Sequence, residues 1–216
     1  MSDGVTEKVE KFFSKFPERQ YPKGQILIFA GDEPTYVYYL KEGKVRQYDI
    51  SYKGDEVVLN VFKPDAFFPM STAILDTPNK FFFDAETAVL LRQAPAKKVV
   101  KFIIDNPDVM YDLITRVYRG TEGLLGRMAY LMTGSAQSRL VYELIIEAHR
   151  FGKRQKDKSV MLVINEKSLG TRVGLSRETV SREIHKLKSQ KLLEISRVGI
   201  RIFDTDKLAE KLGAEI

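Results

Sequence analysis

Residues 165–190 read NEKSLGTRVGLSRETVSREIHKLKSQ, and this stretch decides how the second half of the chain folds. Asn165 is placed to cap a short helix ending near Val173, since its side-chain oxygen can accept from a first-turn N–H that lacks a helical partner. Gly174 permits a tight turn into a second helix packed nearly at right angles. Gly170 keeps the first helix thin where the second crosses it. Ser176 caps the second helix, whose Val180, Ile184 and Leu187 share one face at helical spacing. The stretch predicts a helix-turn-helix.

The early exposed face of the second helix presents Arg177, Glu178, Ser181 and Arg182. Those positions reach base edges when such a helix enters the major groove. Arginine can take guanine O6 and N7 together, and glutamate can accept from the cytosine amino group. Arg172, Ser176, Lys186 and Lys188 are the expected phosphate contacts on the two helices. LLEISRVGIRIFD follows as a β-hairpin turning at about Val198-Gly199, with Arg197 and Arg201 flanking the turn as a basic wing. The plainer alternative makes Glu178 and Arg182 an i,i+4 pair on a solvated helix.

Charge supports the nucleic-acid reading. Residues 1–137 hold 18 Lys+Arg and 18 Asp+Glu, whereas residues 138–216 hold 17 and 11, so the whole net charge of +6 lies in the second part. A neutral first part and a basic second part point to a polyanion as the partner of the C-terminal part, or else to a merely solvated basic surface. Charge alone leaves the two even, and the helix-turn-helix above is what makes double-stranded DNA the expected partner.

Upstream the pattern changes twice. From Gln25 to Ala94, short branched and aromatic runs (QILIFA, YVYYL, GKVRQYDI, EVVLNVF, FFFDAET, AVLLRQA) alternate with turn-forming stretches. This predicts an antiparallel β-sandwich or barrel, preceded by a short amphipathic helix over VTEKVEKFFSKF. From Asn106 the chain reads as one long helix. Met110, Ile114, Val117, Thr121, Leu124, Met128 and Leu131 step by alternating fours and threes, a heptad seam that suits a two-stranded coiled coil between two copies of the chain better than the alternative, a stripe buried in one subunit's own core. A second stripe, Leu113, Leu125 and Met132, is placed to dock the helix on the barrel. MTGSA (132–136) reads as a hinge, followed by the amphipathic helix SRLVYELIIEAHRFG, a basic loop KRQKDK and a short strand SVMLVI.

Composition removes several functions. With no cysteine and two distant histidines, His149 and His185, neither a metal site nor a cysteine or Ser-His-Asp nucleophile is motivated. No cofactor is expected, no enzyme activity is indicated, and no apolar run is long enough to cross a membrane, which makes a cytoplasmic location the default. A ligand-binding or protein-interaction module is the competing class, since winged helices also bind proteins.

GLSRETVSREIHKL resembles the recognition segment of the cyclic-AMP receptor protein and fumarate–nitrate regulator (CRP/FNR) superfamily, and GDEPTYVYYLKEGKV resembles that family's early barrel. The likeness covers nearly the whole chain. It implies an α+β fold: an N-terminal cyclic-nucleotide-binding-type β jelly roll (1–105), a long dimerisation helix with hinge (106–134) and a C-terminal winged helix-turn-helix (135–216). It implies a homodimeric transcription regulator in which Arg177, Glu178 and Arg182 match the base-reading positions, with Ser181 accessory, and TGA-containing half-sites form a two-fold operator. RNA polymerase is a further candidate partner.

The departures from that family bear on the effector. Where cyclic-AMP-binding members carry a Gly-Glu pair and a later Arg-Ser or Arg-Thr pair to grip ribose and phosphate, this chain aligns Phe68-Pro69 and Asn79-Lys80. The ribose partner and the bidentate phosphate fork are both missing, so a cyclic-AMP response is not expected. The same region is unusually aromatic. Phe67, Phe68, Met70, Phe81, Phe82 and Phe83, with Lys80 as a point charge, either line a pocket for an apolar effector or simply fill the barrel. Alternation along FFFDAET favours the filled barrel. Glu183 is a further departure, an acid at a position usually apolar on the recognition helix.

Overall fold

The structure, a computed structural model, describes residues 3–33 and 35–213. Pro34 of the GDEP turn lies outside the described residues. The chain divides into two compact units, Met1–Tyr118 and Arg119–Ile216, which meet within the long helix rather than at either of its ends.

The first unit opens with α1 (Asp3–Phe13), whose Val5, Val9 and Phe13 recur every four residues and are all buried. Eight strands follow: β1 (Glu18–Tyr21), β2 (Ile26–Ile28), β3 (Tyr36–Glu42), β4 (Val45–Ile50), β5 (Glu56–Phe62), β6 (Phe67–Phe68), β7 (Phe82–Ala85) and β8 (Val89–Pro95). They form two antiparallel sheets ordered β1-β8-β3-β6 and β2-β7-β4-β5, the expected jelly roll. YVYYL is apolar throughout because β3 is buried on both faces. Val37 and Tyr39 pack with α1, while Leu40 joins the core between the sheets. Two helices not foreseen in the sequence complete the unit: α2 (Met70–Leu75), between β6 and β7, and α3 (Ala96–Ile104), which buries Val99 and Ile103 beside α1.

Successive residues of a strand face opposite ways, and this divides the aromatic stretch. Phe67 and Met70 join Phe13, Tyr39 and Val99 in the cluster beneath α1 and α3. Phe68 and Phe83 point into the inter-sheet core, stacked with centroids 5.5 Å apart and flanked by Phe62 at 5.0 and 5.9 Å. Phe81 is partly buried against the same core. Phe82 stacks on Tyr48, outside that cluster, and Lys80 is exposed. Of the two alternatives for Phe67, Phe68, Met70, Lys80, Phe81, Phe82 and Phe83, one effector pocket or a filled barrel, these placements disfavour the shared pocket: the described side chains divide between two cores and the surface.

The long helix α4 (Pro107–Thr133) starts and stops within a residue or two of expectation. Val109 is its only fully buried residue among those described. Met110 and Leu113 pack against the α1–α3 cluster, so the first seam position already has a partner within the chain. Further along, Ile114, Val117, Leu124 and Met128 each expose 45–58% of their surface, Thr121 is exposed and Leu131 half-buried. Leu125 and Met132 of the docking stripe are also exposed, against expectation.

The second unit continues through α5 (Ala136–Phe151), capped by Ser135, whose Oγ accepts from Ser138 N at 3.2 Å. A four-stranded sheet of order β11-β12-β10-β9 joins β9 (Lys153–Arg154), β10 (Val160–Leu162), β11 (Leu193–Ser196) and β12 (Gly199–Ile202). Between the strand pairs lie α6 (Glu166–Val173) and α7 (Arg177–Ser189), and α8 (Thr205–Ala209), capped by Asp204, follows the sheet. One continuous core links Leu140, Leu144, Leu169, Ile184, Leu187, Ile202 and Leu208 across all of these elements.

Candidate nucleic-acid interface

The α6–α7 pair is built as its sequence prescribes. Asn165 Oδ1 accepts from Ser168 N at 2.8 Å and Ser176 Oγ from Thr179 N at 3.2 Å, so both helix starts are capped by side chains. Gly174 ends α6 at φ 64°, the left-handed region, and donates its N–H to Gly170 O. A β-carbon on Gly170 would lie 2.6 Å from the Leu175 carbonyl oxygen, so only glycine lets the turn close over α6. Val180, Ile184 and Leu187 are completely buried, which fixes the opposite face of α7 outward.

That outward face carries the residues singled out for base contact. Arg177, Glu178 and Arg182 are exposed and Ser181 half-exposed, at spacings that keep all four on one side of α7. The Glu178 carboxyl is held below its usual pKa by its own backbone N–H and the Ser176 hydroxyl, so it is ionised throughout the neutral range. Among the described residues Glu178 and Arg182 form no ion pair. Arg182 Nε lies 4.0 Å from Glu183, and Arg177 Nε lies 3.6 Å from Glu166 at the start of α6. Glu166 was not foreseen; its place in the first turn of the crossing helix is the one sequence sign of it.

The phosphate set needs two corrections. Arg172 is only 5% exposed, its guanidinium bonded to Glu147 and 3.9 Å from Glu143, so it is a core residue. Arg201 is committed to Glu194 at 3.0 Å, to Asp157 and to Ser159 Oγ at 2.9 Å. Glu194 and then Asp157 hold its guanidinium above the usual pKa, and it serves to tie β12 to its neighbours. Ser176 is exposed as the α7 cap, and Lys188 and Arg197 are exposed. Lys186 keeps an exposed side chain while pairing with Glu183 at 2.8 Å. That pairing is how a buried acid is accommodated at position 183.

In the first unit a cleft of about 260 Å³ lies beside α2, lined by Asp32, Glu33, Tyr38, Pro69, Thr72 and Asn79 among others, with no lysine or arginine. The Asn79 side-chain amide is spent on the carbonyls of Phe29 (2.9 Å) and Phe81, closing the loops around it.

Comparison with known proteins agrees with this architecture. Residues 18–106 match the cyclic nucleotide-binding domain family and residues 138–211 the Crp-like helix-turn-helix domain family, in the order the fold displays. The chain belongs to the CRP/FNR superfamily. It is a DNA-binding transcription regulator of CRP/FNR type. The global nitrogen regulator of Synechococcus elongatus is 25% identical over 199 residues, 89% of this chain and 88% of the relative. The cAMP-activated global transcriptional regulator CRP of Pasteurella multocida is 24% identical over 202 residues, 93% and 97% of the two chains. Among solved CRP-family folds, a CooA variant from Carboxydothermus hydrogenoformans superposes with a TM-score of 0.79 at 22% identity, covering 94% of this chain and 90% of that one. The c-di-GMP responsive global regulator CLP of Xanthomonas campestris gives a TM-score of 0.78 at 18% identity, covering 92% and 99%. Among the described residues no helix is long and apolar enough to cross a membrane, and no group of His, Asp and Glu is arranged to hold a metal ion.

Proposed function

We propose that this CRP/FNR regulator works as a homodimer that reads a two-fold operator with TGA-containing half-sites and does not respond to cyclic AMP. The observation that carries the reading is the outward face of α7, with Arg177, Glu178 and Arg182 exposed and Ser181 half-exposed, on a helix whose Val180, Ile184 and Leu187 are fully buried. Ser176, Lys186, Lys188 and Arg197 flank it as phosphate contacts, which position the helix without specifying sequence. Residues 1–105 act as the effector-type domain, 106–134 as the dimerisation helix and hinge, and 135–216 as the DNA reader. RNA polymerase is the expected downstream partner.

Arg177→Ala and Arg182→Ala are each expected to weaken operator binding by about 1–3 kcal/mol and to relax preference at one base pair. Titration of operator and scrambled duplexes at fixed salt checks this. If both variants kept wild-type affinity and preference, the base-reading assignment would fall.

Dimerisation is supported by the seam from Ile114 to Leu131, which the chain leaves largely uncovered. Heptad spacing of such a seam suits a second copy of the same helix. Ile114→Glu is expected to convert the dimer to monomer in sedimentation velocity and to abolish operator binding, with the circular-dichroism spectrum of the fold retained. A dimer of unchanged strength would place the interface elsewhere.

The cyclic-AMP reading is supported by chemistry at the cassette. A guanidinium fork is the strong partner for a phosphodiester, and among the described residues the cleft beside α2 is lined by two carboxylates and by no lysine or arginine. Millimolar cyclic AMP is expected to leave both Tm and operator affinity unchanged.

A further inference from the structure

The second unit holds a buried group of charges contributed by α4, α5 and α6. Arg127 of α4 donates one hydrogen bond from Nη2 to Glu143 Oε1 of α5 at 3.2 Å, and its Nε approaches Oε2 at 3.0 Å as an ion pair without hydrogen-bond geometry. Glu147, one turn further along α5, bonds Arg172 of α6, and the same Arg172 nitrogen lies 3.9 Å from Glu143 Oε1. All four side chains are buried or nearly so. Arg150 faces the group too: burial lowers its pKa most, Glu147 and Glu143 act against that as opposite charges, and Arg127 and Arg172 add to it as like charges.

Burying charge in this way is a poor route to stability, since apolar residues of similar volume do as well or better. What the charges supply is directional geometry, because a planar guanidinium gripping a carboxylate fixes distance and orientation together. Here one carboxylate lies between guanidiniums on two other helices. Arg172 is bonded to Glu147 and faces Glu143 at 3.9 Å, so moving Arg127 would change the charge that Arg172 meets beside its main partner. Helix α6 is in turn closed against the α7 turn at Gly170, where no side chain could intervene.

We propose that Glu143, shared between Arg127 and Arg172, is a positioning residue that registers the helix-turn-helix against the C-terminal half of the long helix. A change on α4 thereby alters DNA recognition without touching DNA. The recognition part rests on the operator reading above; the registration itself does not.

The test uses the full-length protein and two readouts. Amide hydrogen exchange by mass spectrometry follows α6 directly. The ratio of operator to scrambled-duplex affinity follows recognition. Arg127→Met is expected to speed exchange over residues 166–173 by about fivefold or more and to lower the affinity ratio by about tenfold, with exchange in β3 unchanged. In a Glu143→Gln background, which keeps the side chain's shape, adding Arg127→Met is expected to change α6 exchange no further. Faster exchange confined to α4 and α5, or additive effects of the two substitutions on α6, would overturn the proposal. Should Arg127→Met fail to fold, Arg127→Lys keeps the charge and removes the guanidinium whose Nη2 reaches Glu143 Oε1; it is expected to loosen α6 by the same measure, and wild-type exchange there would overturn the proposal. A wild-type protein without sequence preference would count against the operator reading alone, because exchange still judges the registration.

Discussion

Phe68→Ala is expected to destabilise the first unit by about 3–5 kcal/mol, the cost of deleting a large ring from a well-packed core. Phe68 is 1% exposed, and Phe83, Phe62 and Tyr38 stack around it at 5.5, 5.0 and 5.9 Å. Removing the ring takes away apolar burial and leaves its three neighbours facing a void, because sheets pinned by their ladders relax only partly. Urea unfolding followed by circular dichroism and by tyrosine fluorescence measures the loss, tyrosine being the available probe in a chain without tryptophan. A loss below about 1 kcal/mol would mean that the ring borders space already empty, and would revive the barrel as a ligand pocket. The variant's void offers a second readout, since small apolar molecules enter such cavities and restore part of the stability.

Glu147→Leu is the second large effect, expected to cost about 3–5 kcal/mol in the second unit, because it strands a buried guanidinium. Arg172 is 5% exposed and would be left with Glu143 alone, at 3.9 Å and beyond hydrogen-bond distance. The companion variant separates charge from packing. Glu147→Leu with Arg172→Met removes both members of the pair and is expected to recover most of the loss, as apolar replacements of buried pairs do. If the single variant were as stable as wild type, Arg172 would have to reach water by another route, and its standing as a core residue would be wrong.

These two sites also show where the sequence was legible. The helix-turn-helix could be read because its determinants are local: a capping Asn165, a turn at Gly174, a capping Ser176 and a three-residue buried face all lie within 26 consecutive residues. The long helix could be read from its spacing, and the jelly roll from the rhythm of its runs and turns. Arg172 could not, because a basic residue beside a DNA-reading helix carries the same letters whether it faces phosphate or two acids on another helix. The sign that existed was Glu143 and Glu147, two acids four apart on the otherwise apolar face of SRLVYELIIEAHRFG. Arg201 was misplaced for the same reason, since Asp157 and Glu194 reach it only once the sheet has formed. The phenylalanines were legible as apolar, but which sheet face each one takes depends on a register that only the folded barrel sets. β1, with ERQY largely exposed, has no apolar alternation to announce it.

The central proposal is that this regulator reads a two-fold operator through α7, and that a barrel filled by Phe68 and Phe83 needs no apolar effector to do so. The most direct measurement is selection of the purified, ligand-free protein against a random duplex DNA library at physiological salt. The expected result is a palindromic motif with TGA-type half-sites whose centres lie about one helical turn apart. Enrichment of no sequence, or of a single asymmetric half-site, would contradict it.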